Sequence, residues 1–363
     1  MWMNSRALYT LFALFLLVIF ISCSQSNSQS FPSDPRQITV YNSGLRLFSS
    51  PGLEGRAIRA LTRGETLYDL QQVSPFLTPL RLESRSYVEP WLQVRTKTGE
   101  VGWVYGAVLY NEKGEAAPQL PQKRLAALFG KSLQQKIKRF AQAFDAAKTD
   151  SELAQAYHAF REIVDSLALH TSFAVAVDPT YTLPNLFWMP VVLPGVVPQM
   201  SNIGDAYHFF AHFGVFREKA QQTQGQADDA FFDWCIQQFP QDSIEYLIPP
   251  YRIETELGQG SSLLGRGLHF RTIQQLDALY RRKTPFELDL ILLKNRCVDD
   301  ITQSNPSFWE QRTKIIAELV QICHSDLVIL TKADKIALET RLLQLEAPEK
   351  YGIKVDVQAG RTE

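Results

Sequence analysis

Close to residue 115 the apolar side chains change their spacing, and that change commits the chain to two kinds of structure in series. Upstream they alternate with period two, as in Ile38-Thr39-Val40-Tyr41, Leu45-Arg46-Leu47-Phe48 and Thr66-Leu67-Tyr68-Asp69-Leu70. These runs are separated by turn residues such as Asn42-Ser43-Gly44, Ser49-Ser50-Pro51-Gly52 and Thr62-Arg63-Gly64-Glu65. Trp91-Leu92-Gln93-Val94-Arg95 and Val101-Gly102-Trp103-Val104-Tyr105 flank Lys97-Thr98-Gly99-Glu100, the pattern of a hairpin. Short strands at this spacing predict a small all-β barrel or sandwich over residues 37–111, folding as a unit.

Downstream the period lengthens. Leu125, Leu128, Phe129, Leu133, Ile137, Phe140 and Phe144 fall at three- and four-residue steps, one face of an amphipathic helix over 123–147. Thr149-Asp150-Ser151-Glu152 reads as a capping box that starts a second helix, running to about Leu169. Residues 171–200 hold five prolines, which exclude a long helix. Further helices are expected over 202–222 behind Asn202, over 226–239, after Thr284-Pro285-Phe286-Glu287, from Asn305-Pro306 with Phe308, Trp309 and Ile315 on one face, and over 333–346. Residues 112–121 carry Gly114, Pro118 and Pro121 without apolar periodicity and read as a linker. The expected fold is multi-domain α+β, a small β-barrel followed by an all-α helical domain over 122–363.

The first 36 residues speak of compartment. Leu8 to Ile21 is a 14-residue, almost unbroken apolar run behind Arg6. A membrane-spanning helix needs roughly 20 residues, so the run fits the core of a secretory signal over 1–22. Phe20-Ile21-Ser22-Cys23 follows, and then the polar stretch Ser24 to Ser30, a tether over 23–36. This arrangement resembles the lipobox of bacterial lipoproteins, with Phe20 where that family usually has Leu. The resemblance implies a lipid attached to Cys23, which becomes the mature N-terminus, and a membrane-anchored place in the cell envelope facing the periplasm.

A second resemblance lies in the barrel segment. Gly44-Leu45-Arg46-Leu47-Phe48-Ser49-Ser50-Pro51, Ile58 with Leu61, Gly64-Glu65, Trp91 with Val94-Arg95, and Gly99-Glu100-Val101-Gly102-Trp103-Val104 together resemble the bacterial SH3 (SH3b) domain. The match covers about a fifth of the chain. The stretch Gln71 to Glu89 is longer than a minimal SH3b loop and is expected to cover or reshape the family's binding surface. Alternation along 91–95 places Trp91 outward, where it either packs under the long Gln71 to Glu89 stretch, the preferred reading, or with Tyr68 and Tyr87 forms a candidate ligand-binding surface. Trp103, beside glycines, is expected in the core. The aromatic, proline-bearing run Tyr181 to Met189 is expected to pack between domains, with a docking surface as the other reading.

Three further patterns bear on chemistry. Asp205, His208 and His212 would share one face of the helix expected at 202–222, a weak metal-site pattern that lacks the Glu a zincin needs directly after its first His. Two packed, hydrogen-bonded histidines are the preferred reading. SH3b modules often accompany cysteine peptidases that cut peptidoglycan, so Cys235 with His269 is the second pattern. Asp233-Trp234-Cys235-Ile236-Gln237 lacks the Ser-Gly those enzymes resemble one another in. Gly258, Gly260, Gly265 and Gly267 lack the Lys-Ser/Thr of a phosphate-binding loop and read as a flexible loop. No catalytic residue and no cofactor is expected. With Cys23 modified, Cys235, Cys297 and Cys323 are either three buried thiols or one bridge and one free thiol.

A net charge of -1 from 37 basic and 38 acidic residues gives no basic excess for nucleic acid. The expected function is therefore a non-enzymatic envelope lipoprotein, held at the membrane by its lipid, that binds a protein partner or cell-wall component such as peptidoglycan. A cell-wall hydrolase with the helical region as catalytic domain is the alternative. One acyl chain binds a bilayer only marginally, whereas the three that the resemblance implies hold firmly. Cys23→Ser is thus expected to shift the protein from the membrane to the soluble fraction or to block signal processing. Identical partitioning and gel migration of mutant and parent would contradict lipidation.

Overall fold

The computed structural model describes residues 36–178, 181–201, 204, 206–253, 261–303, 307–353 and 356–357. Cys23 and the whole signal and tether region lie outside the described residues. The chain forms two compact units, 1–130 and 131–363.

The first unit is a curled antiparallel sheet, half of a barrel. Its strands are β1 (Gln37–Thr39), β2 (Arg46–Phe48), β3 (Ala57–Ala60), β4 (Thr66–Leu82), β5 (Arg85–Thr96) and β6 (Val101–Tyr105), in the order β1-β4-β5-β6-β2-β3. Gly102 sits where a Cβ would come within 2.7 Å of Leu47 and of the Phe48 carbonyl, so β6 can approach β2 only without a side chain there.

The stretch Gln71 to Glu89, expected as a loop, is instead mostly strand. β4 and β5 continue as a hairpin to Leu82–Arg85, with register shifts between Asp69 and Gln72 and between Val73 and Leu77. The second bulge accommodates Pro75, which cannot donate to a regular ladder, while Pro79 stays in register opposite Val88. At the second shift Ser74 takes over, its hydroxyl accepting from the Trp91 amide at 3.0 Å and donating to the Phe76 carbonyl at 2.6 Å.

The longer hairpin also corrects the placement of both tryptophans. Trp91 is 1% exposed, not outward. Its indole donates to Thr78 Oγ1 at 2.9 Å, and its ring meets Phe48 and Tyr105 edge-on. Thr78 belongs to the extension, so a face that would be solvated in a minimal barrel is covered. Trp103 is half-buried at the edge of the core rather than within it. Tyr87 is buried against Tyr110, and Tyr68 is 39% exposed.

The expected boundary at 111 falls inside this unit's core, which includes Ala117 and Leu120. Helix α1 (Leu120–Ala146) begins on the sheet and breaks at Gly130 (φ 76°, ψ 166°), a backbone region open to glycine. Its first turn carries Lys123, 2.5 Å from buried Asp69, and Arg124, whose Nε donates to buried Glu89 at 2.9 Å.

The second unit is not all-helical. It holds the rest of α1, then α2 (Asp150–Val177), α3 (Phe213–Ala220), α4 (Ala227–Gln238), α5 (Leu268–Tyr280), α6 (Glu287–Thr302), α7 (Arg312–His324), α8 (Lys332–Glu346) and α9 (Pro348–Tyr351). Between them run the hairpin β7 (Val196–Met200) and β8 (Tyr207–Ala211) and a sheet of two-residue strands. The latter are β9 (Arg252–Ile253), β10 (Ser261–Ser262), β11 (Ser307–Phe308) and β12 (Asp356–Val357), with β10, β11 and β12 parallel. Thr149 caps α2 as expected, receiving the Glu152 amide while Glu152 receives that of Thr149.

Two helix expectations give way to strands. Tyr207-His208-Phe209-Phe210-Ala211 pairs with β7, because an aromatic run packs well on a pleated surface, and the helix starts only at Phe213. Phe308 lies buried in β11, and helix α7 begins at Arg312; Asn305 and Pro306 lie outside the described residues. No helix among the described residues is long and apolar enough to cross a membrane.

Breaking a buried ion pair by removing one partner costs about 3–5 kcal/mol. A chain ending at Asn111 loses the cations opposite Asp69 and Glu89, so it is expected to melt well below one ending at Gly130. Equal thermal melting of the two would contradict this boundary.

Candidate functional site

The second unit carries a cleft of about 600 Å³. Helix α2 supplies its floor. One side of α2 buries Leu153, Phe160, Val164 and Leu167, and the neighbouring stripe presents His158, Arg161 and Asp165 at helical steps to the cleft. Strand β8 adds His208 and Phe210, α4 adds Trp234 and Cys235, and α6 adds Asp289, Leu292 and Arg296. The segment from Glu245 to Tyr251 closes the ring.

Two charges on this floor, His158 and Arg161, are matched across distant parts of the chain. His158 Nε2 lies 2.6 Å from Asp289 Oδ2, joining α2 to α6. Arg161 donates to Glu245 Oε2 at 2.5 Å, and that oxygen also accepts the Ala211 amide of β8 at 3.2 Å. The hydrogen bond to Asp289 raises the pKa of His158 above its ordinary value, against the opposing effect of burial. Burial disfavours the charge of Arg161, and Tyr157 and Glu245 more than restore it. Trp234 donates its indole N–H to Gln275 at 3.1 Å. The rim is apolar, with Tyr246, Leu247, Leu288 and Leu292 exposed.

Cys235 is 2% exposed, and burial pushes the pKa of its thiol well above the ordinary range. Cysteine attacks as thiolate, so this group is held in its unreactive form. His269 serves a different cluster. Its Nε2 lies 2.8 Å from Asp300 Oδ2, which also accepts the Ser262 hydroxyl at 2.6 Å. Serine, histidine and aspartate thus meet in a triangle, with Ser262 Oγ also 3.4 Å from His269 Nε2. All three groups are buried, and the Ser262 hydroxyl lies closer to Asp300 Oδ2 than to the imidazole. The cluster fastens β10 to α5 and α6.

The histidine pattern is not assembled. His208 faces the cleft, stacked on Phe210 at 5.9 Å, whereas His212 bridges to Ile244 and does not line it. Asp205 lies outside the described residues. Among the described residues no three His, Cys, Asp or Glu side chains are placed to hold a metal. Of the glycine cluster, Gly258 and Gly260 lie outside the described residues. The Gly265 and Gly267 amides donate to the buried Glu318 carboxylate, as does Phe270. A side chain of the protein thus occupies the anion position at the start of α5. Cys235, Cys297 and Cys323 are free thiols.

Sequence reasoning missed His158, Arg161, Glu245 and Asp289. The stripe on α2 was readable from the helical period; the partners, 84 and 131 residues away, were not. A scan against protein-family models finds no match, and searches of curated proteins and of solved structures find none either.

Because the folded-state pKa of His158 is raised, its pairing stabilises the fold fully below the ordinary value of 6.5. That contribution disappears as pH rises through the higher folded-state value. An imidazole NMR titration is expected to show His158 with a midpoint above 6.5, falling in Asp289→Asn. An unchanged midpoint in that variant would contradict the assignment.

Proposed function

We propose that this chain is a lipid-anchored protein of the bacterial cell envelope that binds a protein partner or cell-wall component without transforming it. Cys23 is the anchor. The half-barrel is of the SH3b kind and the aromatic cleft of the second unit is the binding site. The observation that carries the binding reading is the state of the cleft: His158 and Arg161 are paired with Asp289 and Glu245, its thiol is neutral, and its rim is apolar. Such a surface suits recognition, where matched polar groups set orientation and exposed apolar groups supply affinity.

The SH3b reading is supported by the motif glycines. Gly44, Gly64 and Gly99 stand at turns with φ of 77°, 84° and 91°, and Gly102 fills the tight approach of β6 to β2. The anchor reading is supported by the apolar run and Cys23 alone. The burial of Trp91 and Tyr87 moves the candidate binding surface from the barrel aromatics to the cleft, leaving Tyr68 as the exposed one of the three.

The test uses purified peptidoglycan sacculi and the full chain. The protein is expected to co-sediment with sacculi and release no soluble fragments. Tyr246→Asp with Leu292→Asp, both on the exposed rim, is expected to weaken retention about tenfold, the effect of ~1.4 kcal/mol. Release of soluble muropeptides would establish the hydrolase instead. Retention unchanged by the rim substitutions would remove the cleft from the account.

A further inference from the structure

Residues 169–200 contain a single charged side chain, Asp178, where the chain's overall 21% charged content would place about seven. This stretch is nevertheless far from fully buried. On the last turns of α2, Leu169, Phe173 and Val177 recur four residues apart and are each at least 66% exposed. Beyond them Phe187 and Val191 are 74% and 72% exposed. Scattered apolar residues on a surface are ordinary, but a long uncharged stretch that displays several of them is not.

The backbone around Phe187 is prepared for a dry environment. The Phe187 amide donates to Asn185 Oδ1 at 2.8 Å, and the amides of Met189, Val191, Val192 and Leu193 donate to carbonyls within the same turn. Pro184, Pro190 and Pro194 have no N–H to satisfy. The half-buried Trp188 donates its indole N–H to the Asn185 carbonyl at 2.9 Å. Several polar groups that would resist transfer out of water are therefore already bonded inside the turn, while phenyl and isopropyl groups point out of it.

We propose that these two uncharged, exposed segments, the end of α2 and the turn from Pro184 to Pro194, insert into the interfacial zone of a lipid bilayer. The proposal builds on the lipid anchor at Cys23, which would hold the chain beside a bilayer. Near-absence of charge favours a lipid surface over a protein partner, because protein interfaces are ringed by polar residues that fix orientation. It also predicts attraction by apolar burial alone, independent of anionic lipid and of salt. Trp188 and Tyr181 suit the headgroup level, where an aromatic body meets a polar edge.

The test measures tryptophan emission of the full chain in phosphatidylcholine vesicles, plain against brominated in the acyl chains. The expected result is a partial quench by bromolipid that disappears in Trp188→Phe and in Phe187→Glu with Val191→Glu. It should be unchanged at high salt. Unaltered melting of the glutamate variant, whose positions are exposed, excludes misfolding. Flotation of the vesicles reads the anchor separately through Cys23→Ser. Flotation without any Trp188-dependent quench overturns this inference and leaves the anchor standing. A chain that does not float but is quenched at high lipid concentration overturns the anchor and supports the insertion. Absence of quench together with a dimer that Phe173→Glu dissociates would assign these segments to a second copy of the chain and overturn the membrane reading.

Discussion

The second unit depends on the enclosure of one ring. Tyr157 of α2 is surrounded by Phe160, Phe216, Phe231, Phe232 and Phe286, with centroid distances of 5.2–6.3 Å. These rings arrive from α2, α3, α4 and the entry to α6. Phe231 and Phe286 stack at 4.3 Å, and Phe140 and Phe144 of α1 extend the cluster to Phe160 and Phe216. Aromatic pairs contribute about 0.5–1.5 kcal/mol each beyond the area they bury, and their flat shapes fix the angle at which helices meet. The same Tyr157 and Phe231 form the back wall of the cleft, so the core that holds the helices together also fixes the shape of the site.

Outward from that wall the chemistry changes from apolar to charged, and the protein neutralises the charges locally. His158 and Arg161 leave the same stripe of α2 and are met by Asp289 and Glu245. Buried charges are tolerable in this way, paired and further hydrogen-bonded. The habit recurs elsewhere: Glu318 satisfies three amides at the start of α5, and Lys294, buried in α6, reaches Asp334 of α8 at 2.6 Å. A fold that places these carboxylates opposite amides and cations neutralises them within the protein.

The change of hydrophobic period was a sound guide to the coarse architecture. A curled sheet precedes the helices, and the capping box at Thr149 starts α2 where the residues announce it. Longer-range effects were hidden. The covering of Trp91 by Thr78 depends on a hairpin that takes in Pro75 at a bulge and Pro79 in register, prolines that, read locally, signal a loop. Strand β8 was hidden because Tyr207 to Ala211 fits either period over five residues, and only pairing with β7 decides. The two-residue strands around Ser262 and Phe308 are shorter than any periodicity. At the site, the α2 stripe was legible and its partners were not, since contact across 84 or 131 residues leaves no local trace.

The central claim is that the cleft recognises a ligand and does not attack one, and the state of Cys235 tests it most directly. Native full-length protein would be treated with iodoacetamide over a range of pH, and modification of each cysteine followed by mass spectrometry. The account predicts that Cys235 and Cys297, both buried, stay unmodified until the chain unfolds. Cys323, half-buried and pushed to about 11, should react slowly and only toward alkaline pH. Rapid alkylation of Cys235 near neutral pH, in folded protein, would reveal a thiolate in the cleft and contradict the account.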